Sequence, residues 1–257
     1  MADAPFRPSV AAMLSLLTKR VPDTAEVEID GERVAVTVKV SARARNYRLS
    51  LPHGGQPLLV LPRHGRWSEA RAFLERHTPW LAERLENSVK PVAFERGAII
   101  PLRGVNHRIV PTGRVRGVVE AGEHAGELAL LVPGAPEHRA RRLTDWLKIE
   151  AHSDLTRRVH VHAATLKVSV KSIAMRSQAT RWGSCSSTGR LNFNWRLVLA
   201  PPFVLDYVAA HEVAHLVEMN HSAAFWRTVE RALPSMDRGR DWLKDNGREL
   251  MVYGLEG

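Results

Sequence analysis

The chain has a single cysteine, Cys185, among its 257 residues, which excludes a framework of intrachain disulfides. A lone thiol fits a reducing compartment, so a cytoplasmic location is expected. No apolar run approaches the roughly 20 residues that a membrane span needs. Internal repeats and low-complexity tracts are also missing, which argues against solenoid and fibrous architectures. The early run VAAMLSLL follows Arg7 in the manner of a secretory signal, but no small-residue cleavage site comes after it and Thr18-Lys19-Arg20 interrupts it. Residues 1–20 are therefore read as an amphipathic helix or arm.

What the chain does have is positive charge, formally +10. Residues 161–257 carry 12 basic and 9 acidic side chains, so +3 of the excess lies there and +7 in the first 160. Charge spread in this way indicates solubility rather than a concentrated nucleic-acid patch. With 44% hydrophobic and 25% charged residues the composition is that of a soluble globular protein. The length suits one large domain, or a small one beside a second.

Between residues 25 and 62 the pattern is β: VEID, RVAVTVKV, YRLSL and PLLVLP, separated by Asp30-Gly31 and His53-Gly54-Gly55 turns. A helical pair follows, one member capped by Ser68 and the next starting at Thr78-Pro79. Strands return over 98–132 in AIIPLRG, HRIVP, RGVVE and LALLVP, and GAPEH then marks a boundary near 134–137. From Arg139 to about Ala164 the apolar period is helical, with an interruption expected at His152-Ser153. VKSIAMRS, RWGSCS and RLNFN read as strands, and helices are expected over 203–219, 222–232 and 238–250. The fold class is α+β: a β-rich region over 21–134, then a unit over 135–257 in which helices are built on a small sheet.

The chemistry gathers at residues 211–221, HEVAHLVEMNH. On a helix His211 and His215 project from one face and can hold one ion through neutral imidazoles, while Glu212 stands beside them within reach of a water. This H-E-x-x-H spacing is that of zinc peptidases, in which the glutamate is the general base and then passes the proton to the leaving amine. By chance alone it would occur in such a chain on the order of a few per cent of the time, and a third histidine six residues on lowers that about twentyfold. A catalytic zinc needs a third protein ligand and one open position. Glu218 and His221 are the candidates. Glu218 lies about 10 Å further along a regular helix, so His221 is preferred, delivered by a bend at Asn220 before Ser222 caps the next helix. An ordinary buried helix has no reason to set an acid beside two histidines.

The run from Thr180 to Trp226 resembles the YgjP-like metallopeptidase family, distant kin of the SprT and WLM-type zincins. Its matching segments are RWGSCS at 181–186, NWRL at 194–197, DYVAAHEVAH at 206–215 and NHSAAFW at 220–226. The resemblance is strongest over about 170–245. It implies a zincin-like unit with an active-site helix and one Zn2+ ion held by His211, His215 and His221. It also implies a catalytic Glu212 and a protein or peptide substrate. Glu218 stands where the metzincins have a glycine, which moves the bend to Asn220. Zincins lay substrate along a sheet edge, and the strand over Arg181 to Ser186 is the nearest candidate. Arg176 and Arg181 are candidates for holding an oxyanion or a substrate carboxylate, against the alternative that they pair with Asp206 or cap a helix end. Trp182, Trp195, Phe225 and Trp226 are expected in the core, and Cys185 as a small buried residue. His160 and His162 lie two apart, a spacing that would pair them on a strand face and not on a helix, so a second metal site is not expected there. Two other readings stay open: a DNA-associated zincin module that acts on DNA-bound proteins, and a non-catalytic zinc scaffold.

Overall fold

The computed structural model describes residues 21–52, 55–86, 88, 90–178 and 180–254. The helix or arm expected over 1–20 lies outside them. The chain divides into two compact units, residues 1–88 and 89–257.

In the first unit β1 (Thr24–Ile29) and β2 (Glu32–Ser41) form an antiparallel hairpin across Asp30-Gly31. Both turn residues have positive φ, the primed turn whose twist matches that of the strands. β4 (Leu58–Pro62) runs parallel to β2, and β3 (Arg48–Ser50) pairs antiparallel with β4, so the sheet order is β1-β2-β4-β3. Val36 and Val38 of β2 point inward two apart, as the strand period requires. They pack with Leu59 and Leu61 against Ala70 and Leu74 of α1 (Trp67–Arg76) and Leu81 of α2 (Thr78–Glu86). Ser68 lies inside α1, not at its cap, because the helix starts at Trp67.

In the second unit β5 (Ile99–Leu102), β6 (Val105–Pro111), β7 (Glu120–His124) and β8 (Glu127–Val132) form a sheet of order β5-β6-β8-β7. The pairing sequence is that of the first sheet: antiparallel, parallel, antiparallel. A repeat absent from the residues is thus present in the topology. Pairing depends on side-chain period and turn position, which unrelated residues satisfy equally well. Residues 134–137, where the sequence reading puts a boundary, form the turn from β8 into a 31-residue helix, α3 (Pro136–Leu166). The interruption expected at His152-Ser153 does not occur. Leu147, Ala151, Leu155 and Val159 continue one buried stripe through it, and His160 and His162 lie on this helix, as the helical period to about Ala164 implies.

After α3 come β9 (Ser172–Arg176), β10 (Gly183–Cys185) and β11 (Arg190–Asn194) in the order β10-β11-β9, with β10 at one edge and β9 at the other. A 3-10 turn over Trp195–Val198 leads to α4 (Pro202–Ala214), α5 (Ala223–Ala232) and α6 (Met236–Leu250). The α+β class holds. No helix among the described residues is long and apolar enough to cross a membrane.

Candidate metal centre

α4 carries the first histidines and is buried on nearly every side. Pro202 opens it, where a missing N–H costs nothing, and Val204, Leu205, Tyr207, Val208, Ala209, Ala210, Val213 and Ala214 are all in the core. α6 crosses it in direct contact at Gly239, where a Cβ would stand 2.9 Å from the Phe203 carbonyl oxygen. Its polar residues are few. Asp206 accepts two hydrogen bonds from Arg158, Nε at 2.6 Å and a terminal nitrogen at 2.7 Å, and lies 2.6 Å from His162 Nε2. His162 is fully buried and its Nδ1 is 3.2 Å from the Ala232 carbonyl oxygen. One aspartate therefore fixes α4 to α3, and through His162 to the end of α5. Burial opposes ionisation of Asp206, but the bonds from His162 and Arg158 outweigh it and hold the carboxyl below its ordinary range.

The helix ends five residues before the expected stop. Ala214 is its last residue, and the N–H groups of Val217 and Glu218 both reach the Ala214 carbonyl. His215 stays near helical dihedrals as the cap, so it keeps the i, i+4 relation to His211, with ring centroids 5.0 Å apart. The turn also lets His215 Nδ1 donate to the Glu218 carbonyl at 3.1 Å, which leaves the lone pair on Nε2. Asn220 Oδ1 accepts the Ser222 N–H at 3.3 Å, and Ser222 Oγ accepts the Phe225 N–H at 3.4 Å as the cap of α5. Between these two side-chain bonds His221 is turned back, its Nε2 3.1 Å from His211 Nε2.

His211, His215 and His221 offer nitrogen atoms that all lie within 4.8 Å of one another. For a tetrahedral ion with bonds of about 2.0–2.1 Å, ligand nitrogens stand ~3.4 Å apart, so the cluster is close to the required size. Burial first, then the charges of His215 and His221, push His211 down to about 3, and burial also lowers His215. Neutral rings keep the lone pairs a metal requires. His211 Nδ1 and Glu212 Oε2 are buried without a partner among the described residues. The donor set and the orphaned Glu212 oxygen fit a divalent cation with a carboxylate beside it.

Glu212 is 5% exposed, and burial raises its carboxyl to about 8. β10 covers it. A Cβ on Gly183 would stand 2.6 Å from Glu212 Cγ and 2.7 Å from Cδ, so only glycine allows this strand to lie against that side chain. Burial and the Glu212 charge push the Cys185 thiol up to about 11, and its Sγ donates to the Ser186 carbonyl at 3.4 Å.

Glu218 contributes its backbone carbonyl. Arg176 lies on β9, the opposite edge from β10, with Nε on Asn192 Oδ1 at 3.1 Å, and Arg181 is exposed just before β10. Neither pairs with Asp206, whose partners are on α3. Trp195 and Phe225 are in the core, and Trp182 and Trp226 are partly buried against it. Sequence reasoning missed what Phe225 does. Its ring meets all three histidines at centroid distances of 4.9, 4.5 and 4.7 Å, and Trp226 stands over His211 and His221 at 5.8 and 6.0 Å. The signal was the FW pair one turn after His221. The role of Gly183 had no signal in spacing, because a strand-to-helix approach joins residues far apart in the chain.

A crystal structure of the metallopeptidase zymogen of Pyrococcus abyssi abylysin aligns with 20% identity over 37% of this chain and 94% of that one, with a TM-score of 0.34, too loose to bear on the fold. No curated protein matches. The family profile described as YgjP-like, metallopeptidase domain, matches residues 45–246, and the chain belongs to that metallopeptidase family.

Proposed function

We propose that the chain is a zinc-dependent peptidase in which His211, His215 and His221 hold one Zn2+ and Glu212 is the general base. The observation that carries this reading is the convergence of three imidazoles beside a buried carboxylate with a free oxygen. When bound, zinc supplies the Lewis acid that acidifies water, polarises a peptide carbonyl and favours the ionised form of Glu212. Glu212 Oε2 takes the proton of the attacking water and delivers it to the departing amine. β10 pairs only with β11 among the described strands, so its other edge is free to add a substrate strand beside Glu212. All these groups fall in the proposed metallopeptidase domain, residues 135–257. An intact base argues against a purely structural site, which needs none.

The test is metal content by mass spectrometry together with cleavage of an unfolded protein substrate. Wild type should carry one zinc per chain, Glu212→Ala should keep zinc and lose cleavage, and His221→Ala should lose most of the zinc. Zinc retained at full affinity by His221→Ala, or cleavage surviving in Glu212→Ala, would overturn the assignment.

A further inference from the structure

The spread of charge along the chain hides a separation within the first unit. Residues 21–32 hold Asp23, Glu26, Glu28, Asp30 and Glu32 and no basic side chain, whereas residues 33–68 hold six arginines and one lysine and no acid at all. The sheet turns this sequence order into a spatial one. β1, with Glu26 and Glu28, is one edge, and β3, which begins at Arg48, is the other. Arg33, at the start of β2, pairs with Glu26 on the acidic side. The remaining arginines lie in the β2–β3 connection (Arg43, Arg45), on β3 (Arg48) and in the turn from β4 into α1 (Arg63, Arg66). A polarised sheet is not what solubility alone requires, since mixed charges serve that purpose as well.

At the basic edge there is a cavity of about 510 Å³, and Arg43, Arg45, Arg48, Ser41, Asn46 and Tyr47 are among the residues that line it. No acid lines it, and Arg43, Arg45 and Arg48 enter no ion pair among the described residues. Tyr47 is a fixed wall. Its hydroxyl accepts the Arg66 N–H at 3.0 Å and donates to Glu69 Oε2 at 2.7 Å, and a Cβ on Gly65 would stand 3.0 Å from the ring. The chemistry on offer is thus guanidinium forks and amide or hydroxyl donors, with the aromatic ring already packed and not free to stack on a base.

We propose that this edge of the first unit binds the phosphodiester backbone of a nucleic acid, without base recognition. Guanidinium forks match phosphate oxygens two at a time, and three unpaired forks within six residues suit a ligand whose charge repeats along a chain. The cavity presents no exposed large apolar side chain for insertion into a bilayer, so a membrane surface fits it less well. The proposal does not depend on the peptidase reading, because the cavity and the histidines belong to different units.

The test uses the full-length protein and a fluorescent single-stranded DNA of mixed sequence, about 20 nucleotides long, with anisotropy measured between 50 and 200 mM salt. Each phosphate neutralised on a single strand contributes about 0.7 to the slope of log K against log salt. Wild type should bind with a steep slope, and Arg43→Gln/Arg45→Gln/Arg48→Gln should reduce that slope by ~2. Arg227→Gln/Arg231→Gln/Arg248→Gln removes the same charge from exposed positions on α5 and α6 and should leave the slope nearly unchanged. Melting curves exclude misfolding of either variant. Absence of binding at 50 mM salt would overturn the proposal. Equal losses in the two variants, or capture of polyglutamate or anionic vesicles in preference to the strand, would overturn it as well.

Discussion

Replacing Gly183 by alanine tests whether Glu212 works where β10 holds it. Carbon atoms in contact stand about 3.5–4.0 Å apart, so a Cβ 2.6 Å from Glu212 Cγ overlaps it by ~1 Å. α4 cannot retreat, because Val213 and Ala214, which follow Glu212 on the helix, are fully buried. The strain then falls on the Glu212 rotamer, at about 0.5–1.5 kcal/mol, or on β10, at the ~1–3 kcal/mol typical of overpacking. In a chain of this size each kcal/mol lowers the melting temperature by about 2–4 °C. Activity should suffer more than stability, since a 1 Å displacement of a catalytic group costs on the order of 100-fold. The expected result is a folded protein with its metal retained, because Gly183 faces the glutamate and not the imidazoles, and with kcat/KM on an unfolded substrate reduced ~100-fold. Wild-type kcat/KM in a folded, metal-loaded Gly183→Ala protein would refute the argument. Loss of the metal would refute it differently, by making β10 a support for the ligands.

Two further outcomes follow from the same geometry. His162→Ala removes a fully buried ring from between Asp206 and the Ala232 carbonyl, and should lower the unfolding free energy by ~2–4 kcal/mol in urea titrations; a loss under ~0.5 kcal/mol would show that Arg158 alone holds the joint. The metal-free protein should be most stable near pH 6.5. Above that, Glu212 keeps a proton in the folded state up to about 8 that the unfolded chain has lost, so stability falls as pH rises. Below it, the unfolded chain protonates His211 and His215 while the folded state, with His211 lowered to about 3, does not, so stability falls as pH drops. Greater stability at pH 8 than at pH 6.5 in chelator would contradict this.

The clustering of His211, His215 and His221 was legible in the sequence because helix period relates residues four apart, and because Asn220 and Ser222 are residues that make turns and caps. The site of the bend was not. Local propensity puts it at Asn220, whereas the helix ends at Ala214, where the His215 ring gains the Glu218 carbonyl as acceptor. Similarly, Arg176 and Arg181 are cations near the motif in the chain, but only tertiary pairing shows Asp206 bound to Arg158 and His162, 48 and 44 residues away in sequence. The strands were legible from alternation, yet the repeated pairing order of the two four-stranded sheets was not, since alternation says which face a residue takes and not which strand lies next to it.

The centre carries a local cost that the rest of the second unit sustains. His211 Nδ1 and Glu212 Oε2 are buried without partners, and such atoms cost ~1–3 kcal/mol each. A mobile helix would relieve that cost by turning them toward water. α4 does not, because Gly239 admits α6 against it, Asp206 ties it to α3, and its apolar residues are buried around its whole circumference. Glu212 is therefore held dry and unpaired beside the imidazoles, the condition in which a carboxylate gains most from a cation and from a proton to carry. The same rigidity explains why one histidine of the cluster can come from a turn. With His211 and His215 fixed, only His221 has to be placed, and the Asn220 and Ser222 side-chain bonds on either side of it place it without the metal.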